Sequence, residues 1–177
     1  MTENTSLLDH KLKRIKLLLL DVDGVLTRGD VIYNDKGRET KVFDVKDGLG
    51  LKLLGNAGIK VGVVTGRRSP ALSYRCRNLG IVHIFDGVED KASLLSRISK
   101  KTGVAAEGIA YVGDDLPDLP IMKNVGVSIA VSDACGLVKT NAAMVTSAKG
   151  GRGAVREVCE LILKSQGLWE RAIAAFM

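Results

Sequence analysis

Residues 17–26 read LLLLDVDGVL, and the way a run of four leucines gives out onto two carboxylates decides how the rest of the chain is read. Flanked by Ile15 and Lys16, the run is too short to cross a bilayer and fits a strand buried on both faces of a parallel sheet. The strand is expected to stop at Asp21. If the chain stays extended there, Asp21 and Asp23 share a face, because side chains alternate along a strand. Two anions that close repel, and desolvation adds to the cost. A divalent cation resolves the conflict, and hard oxygen ligands at Asp-x-Asp spacing suit Mg²⁺. Gly24 lets the chain turn without a side chain crowding the ion. Taken alone, the motif is equally a solvated strand end bearing two aspartates.

The composition bounds what such a strand belongs to. With 177 residues, 46% hydrophobic, and 20 glycines, the chain suits one well-cored α/β domain over residues 1–177, with nothing of disordered composition beyond the first residues. The net charge of +6 does not point to nucleic acid, because aromatics are only 4% and the basic residues are scattered; a small anionic molecule is the simpler partner. Cys76, Cys135 and Cys159 are odd in number and form no CxxC pair, as expected of reduced thiols in a cytoplasmic protein. Residues 1–10 lack a basic segment followed by an apolar one, and no stretch approaches ~20 apolar residues, so neither secretion nor membrane insertion is expected.

Working outward, residues 28–44 hold Val31-Ile32-Tyr33, a turn at Asn34-Asp35-Lys36-Gly37, and Thr40 to Phe43, the signature of a β-hairpin projecting from the strand end that carries the aspartates. A helix opens near Asp47 and ends near Gly55 to Gly58. Strand signals follow at 59–65, 81–86, 109–113 and 125–131, with a weaker one at 143–146. Helical stretches lie at 69–79, 90–102, 116–124, 133–141 and 152–165, the last with Val155, Val158, Leu161 and Ile162 at helical spacing. Such alternation predicts a doubly wound parallel sheet, whose ligands bind at the carboxyl ends of the strands.

That rule gathers the polar residues. Asp21 and Asp23, then Thr65-Gly66-Arg67, then Gly113-Asp114-Asp115 end successive strands, and Lys91 opens a helix after another, so all fall on one rim. Each has a use in moving a phosphoryl group. Asp114 adds an oxygen ligand for Mg²⁺, and Asp118 either completes the shell or orients a water. Thr65 offers a hydroxyl, Gly66 a backbone N–H that can approach a phosphate oxygen, and Lys91 a compact positive charge. An aspartate can attack phosphorus, while a second carboxylate protonates the leaving oxygen and then activates water. Each piece also has a plain reading: Thr65-Gly66 as a turn, Lys91 as a solvated lysine, Asp114-Asp115 as a helix start. Their joint occurrence on one rim does not.

DVDGVLT, VVTGR, a lysine after the third sheet strand, and GDDLPD resemble, in order, the four motifs of the haloacid dehalogenase superfamily of phosphatases. The resemblance implies that Asp21 is the nucleophile and Asp23 the acid/base whose carbonyl also binds Mg²⁺. It implies phosphate binding by Thr65 and Lys91, and metal binding by Asp21, Asp23 and Asp114. The short hairpin and the short 65–91 interval leave no room for a cap domain. Among capless members the chain is most similar to the phosphatases of 3-deoxy-D-manno-octulosonate (KDO) 8-phosphate, which serve lipopolysaccharide precursor synthesis as homotetramers. That likeness runs from Ile15 to Gln166 and includes FDVKDGLG, TGRR and the tail GGRGAVREVCELIL; only Arg28 stands where those proteins more often carry an acid. It implies a sugar acid site lined by Asp23, Asp44, Val45, Lys46, Asp47, Gly48, Lys52, Gly66, Arg67, Arg75 and Lys91, with neighbouring subunits supplying walls through their hairpins. Gly150-Gly151-Arg152-Gly153 reads either as a turn and helix start or as a mobile segment reaching a site. Competing expectations are a phosphatase for a sialic-type nine-carbon sugar acid 9-phosphate and a phosphoacceptor signalling domain. Asp23 argues against the latter, since a lasting phosphoaspartate does not need it. A non-catalytic scaffold would not require the intact acidic and basic set, and DGVLT is no dinucleotide fingerprint.

Overall fold

Four leucines offer no side-chain partner to their own backbone, so Leu17–Leu20 (β1) is satisfied by a strand on each side and ends up wholly buried. The computed structural model describes residues 3–91 and 93–177. The first half of the chain runs α1 (Glu3–Leu12), β1, a hairpin of β2 (Ile32–Tyr33) and β3 (Glu39–Thr40), α2 (Val45–Asn56), β4 (Lys60–Val64), α3 (Pro70–Leu79) and β5 (His83–Phe85). The second half runs α4 (Leu94–Thr102), β6 (Ile109–Gly113), α5 (Leu119–Met122), β7 (Val127–Ala130), α6 (Gly136–Asn141), β8 (Met144–Val145), α7 (Ala154–Ser165) and α8 (Trp169–Ile173). Six strands form one parallel sheet in the order β5-β4-β1-β6-β7-β8, flanked by helices. The order reverses direction at β1: the chain builds outward through β4 and β5, then returns to the other side of β1 with β6. Leu20 pairs with Val63 on one side and Val112 on the other, which sets Asp21, Thr65 and Asp114 just beyond one edge.

Four local readings change. The chain does not stay extended through Asp23. Leu26 and Thr27 both donate their N–H to the Val22 carbonyl at 3.0 Å, and Gly24 takes a positive φ of 93°, so Asp21 ends the strand while Asp23 sits on the turn that follows, and the two do not share one strand face. The hairpin ladder has only two pairs, Ile32 with Thr40 and Tyr33 with Glu39, and residues 41–43 leave it. Its turn is held by Asn34 Oδ1, which accepts from the N–H of Lys36 and of Arg38, each at 3.0 Å. Residues 3–12, unassigned from sequence, form α1 because Leu12 docks in the core and Gln166 Nε2 donates to the carbonyls of Leu12 and Ile15 at 3.0 and 2.9 Å. The helix expected from residue 90 begins at Leu94, and Ala92 lies outside the described residues.

Among the described residues, no cap interrupts the frame. Between β1 and α2 there is only the hairpin, and between Thr65 and Lys91 only α3 and β5. Among the described residues, no helix is long and apolar enough to cross a membrane.

Candidate active site

The strand ends around the reversal at β1 enclose a cleft of about 470 Å³ lined by Asp21, Asp23, Thr65, Gly66, Arg67, Lys91 and Asp114, with Glu89, Asp115 and Asp118 also on its walls. The sheet register places each one. Asp21 follows β1 and donates its N–H to the Val112 carbonyl at 3.0 Å, while Thr65 follows β4 and donates to the Phe85 carbonyl at 2.9 Å. The Thr65 hydroxyl accepts the Arg67 N–H at 3.2 Å, which orders the turn of TGR beside Asp21. Lys91 is almost fully buried, and its ammonium donates to Asp21 Oδ1 and Asp118 Oδ1, both at 2.6 Å.

Asp118 has no oxygen to spare. Oδ1 accepts from Lys91 and from the Tyr111 hydroxyl at 2.6 Å, and Oδ2 accepts the N–H of Asp114 at 2.9 Å and of Asp115 at 3.3 Å. With every lone pair engaged, it fastens the Lys91 ammonium and the Asp114 backbone in place. Asp115 is exposed and caps the turn Leu116–Asp118 through the Leu116 N–H at 2.8 Å.

Oxygens of Asp21, Asp114 and Asp118 lie within 4.8 Å of one another; with Asp118 already taken up by its donors, Asp21 and Asp114 are left as hard oxygen donors that fit Mg²⁺. Burial and the neighbouring Asp118 charge raise the Asp21 carboxyl to about 6 against the ordinary 3.8, even with Lys91 opposing them. Burial, together with Asp21, Asp118 and Asp115, raises Asp114 to about 8. Asp114 thus faces negative charge that Lys91 does not offset, the situation a divalent cation corrects. Lys91 stays charged, because Asp21 and Asp118 outweigh the burial that would otherwise lower its pKa. The space itself is shaped for this: a Cβ on Gly24 would lie 2.1 Å from Asp114 Oδ2, so only glycine lets the β1 loop pass so close to the carboxylate.

Two residues of the site had no signal of their own in the sequence. Lys41, with its side chain buried, bonds Asp23 Oδ1 and lies 3.4 Å from Glu39 Oε1; Glu39 in turn holds Arg67 at 2.7 Å, and Arg67 donates to the Tyr33 hydroxyl at 3.0 Å. The hairpin therefore reaches down to the second aspartate and holds the arginine at the mouth. Tyr111 looked like one more apolar strand residue.

The segment 44–48, Lys52 and Arg75 do not line this cleft. Asp44 caps α2, accepting from the Lys46 N–H at 2.6 Å, and its carbonyl accepts from Arg75 at 3.0 Å. Val45 and Lys46 are exposed. Asp47 is buried and accepts the Arg156 N–H at 2.8 Å and the Gly153 N–H at 3.4 Å. Gly48 makes room for Arg75, whose Nη2 would be 2.2 Å from a Cβ there. Lys52 borders a separate cavity of about 360 Å³ beside the starts of β4 and β5. The tail segment is packed, not loose: Gly150 and Gly151 are buried, while Arg152 is exposed.

A family profile described as haloacid dehalogenase-like hydrolase matches residues 77–158. The 3-deoxy-D-manno-octulosonate 8-phosphate phosphatase of Salmonella typhi is 46% identical over 162 residues, 92% of this chain and 86% of its own length. The crystal structure of the Moraxella catarrhalis phosphatase of that name, in complex with a magnesium ion, a phosphate ion and a KDO molecule, has a TM-score of 0.94 at 44% identity, covering 99% of this chain and 100% of that one. The Yersinia pestis phosphatase of the same name has a TM-score of 0.91 at 43% identity, covering 93% and 89%. Phosphoryl-transfer motifs drawn to one rim of a capless doubly wound sheet, with relatives this similar over nearly the whole length, place the chain in the haloacid dehalogenase-like hydrolases, as a phosphatase.

Proposed function

We propose that the chain hydrolyses KDO 8-phosphate to KDO and phosphate through an aspartyl phosphate, as one cytoplasmic domain in lipopolysaccharide precursor synthesis. The observation that carries the mechanism is the Asp21 carboxylate held by Lys91 at 2.6 Å inside the cleft, opposite Asp114. Asp21 attacks phosphorus, and the bond to the sugar oxygen breaks as Asp23 gives that oxygen a proton. Asp23, now a carboxylate, takes a proton from water; the water oxygen attacks phosphorus, and Asp21 departs with its electron pair. Thr65 and Gly66 orient the phosphoryl oxygens, and the Lys91 ammonium offsets their charge. Asp21, the Asp23 carbonyl and Asp114 would hold Mg²⁺, which neutralises charge on the phosphoryl group.

The substrate assignment rests on 46% identity to the Salmonella enzyme and on cations beyond those that one phosphate needs. Arg67 stands at the cleft mouth. Lys46, Lys52 and Arg75, which lie outside the cleft of their own chain together with the rest of segment 44–48, complete the sugar acid site of a neighbour in a homotetramer. The test is Mg²⁺-dependent phosphate release from KDO 8-phosphate, glucose 6-phosphate and a nine-carbon sialic-type acid 9-phosphate. Preference for the first is expected; preference for the nine-carbon acid or for glucose 6-phosphate refutes the substrate. Asp21→Asn is expected to remain folded without turnover, and Asp23→Asn to accumulate phosphorylated protein visible by mass spectrometry after an acid quench. Substantial turnover by folded Asp21→Asn refutes the mechanism.

A further inference from the structure

The glycine pair that begins GGRG has no part in the chemistry above, yet it meets the backbone of the aspartate loop without a gap. A Cβ on Gly150 would fall 1.6 Å from the Gly24 carbonyl oxygen. A Cβ on Gly151, at φ +59°, would fall 2.4 Å from the Thr27 carbonyl carbon, and its N–H donates to the Val25 carbonyl at 2.8 Å. Gly24 is in turn pressed against the Asp114 carboxylate on its Cα side. The far side closes as well: the Gly150 N–H donates to Asp133 Oδ1 at 2.9 Å, and the Cys135 N–H donates to the Asp114 carbonyl at 2.8 Å. Loops after β1, β6 and β7 and the loop before α7 thus form a ring of backbone and carboxylate contacts behind the acidic pair.

The ring is anchored from outside. Glu157 accepts the N–H of Ser147 at 2.9 Å and of Ala148 at 2.9 Å, and Asp47 accepts those of Gly153 and Arg156, so the loop before α7 is tied at both ends. We infer that Gly150 and Gly151 are positioning residues: they brace the loop after β1 toward Asp114 and thereby set how tightly Asp21 and Asp114 hold Mg²⁺. The inference rests on the metal reading given above. A methyl group at residue 150 has only backbone to push against, so it moves Gly24 and with it the spacing of the donors. Asp133 acts through the same loop, by holding the Gly150 N–H.

Calorimetric titration of Mg²⁺ into the full-length protein tests this, with thermal unfolding followed in parallel. Gly150→Ala is expected to weaken Mg²⁺ binding about ten- to a hundredfold, the range seen when groups that orient metal ligands are removed. Asp133→Ala is expected to shift it in the same direction by less, and it keeps the test decisive if Gly150→Ala fails to fold. Gly55→Ala, on α2 with nothing within 4 Å of the new Cβ, is the control and should bind as the unmodified chain does. Unaltered Mg²⁺ affinity in either folded variant, or a lowered unfolding temperature with affinity unchanged, overturns the brace. No Mg²⁺ binding by the unmodified protein instead overturns the metal reading, and the brace falls with it.

Discussion

Asp118 spends four acceptor positions on keeping one ammonium and one backbone turn where the chemistry needs them, so its removal costs more than one contact. Asp118→Ala leaves Lys91 with a single carboxylate and strands the Asp114 and Asp115 N–H groups, and should destabilise the fold by about 3–5 kcal/mol. Tyr111→Phe removes one of two donors to Oδ1 and should cost about 1 kcal/mol. Urea unfolding of the two variants checks both values and their order. Asp114 and Asp21 give a pH dependence with a defined sign. Both carboxyls hold a proton more tightly folded, at about 8 and about 6, than at the ordinary 3.8, so the metal-free folded state binds more protons than the unfolded one. Its stability therefore falls as pH rises from about 4 to about 8. Melting in chelator should show this decline, and added Mg²⁺ should raise the melting temperature more at pH 8 than at pH 6.

Gly153, the residue before α7, has no side chain with which to cap that helix, and the cap comes instead from Asp47 on α2. This packs α2 along α7 and holds the glycine loop on the outer side of the β1 turn. Asp47→Ala should cost about 1–3 kcal/mol by leaving the Gly153 and Arg156 N–H groups unpaired in a half-buried place, to be read from thermal or urea unfolding. Family likeness alone put Asp47 beside the substrate; within one chain its carboxylate is already committed to the Gly153 and Arg156 N–H groups. The hairpin is the opposite case. Its strands are too short to stand alone, and what fixes it is Lys41 on Asp23 and Glu39 on Arg67, contacts between residues 18 and 28 positions apart.

Val31, Ile32 and Tyr33 on the hairpin, with Val42 and Val45 beyond it, remain exposed, and Val45 is 78% accessible. In the proposed tetramer this apolar surface is covered by neighbours. Light scattering should give four chains, and Ile32→Asp should yield a smaller species with impaired turnover of KDO 8-phosphate. A single-chain mass with full activity would refute the assembly. The sequence by itself determined the sheet, because short apolar runs alternate with stretches of helical spacing, and it determined the rim, because strand ends are punctuated by glycine and aspartate. It put Asp21, Thr65, Lys91 and Asp114 on that rim, and the strand order then centred them on β1. Only the tertiary structure decided the roles that depend on distant partners: Lys41 on Asp23, Tyr111 and Asp118 around Lys91, Asp47 capping α7, and Gly150 against Gly24. Periodicity reports which face a residue turns to the core. It is blind to which group from another element fills the space opposite, since that is set by how the layers close together.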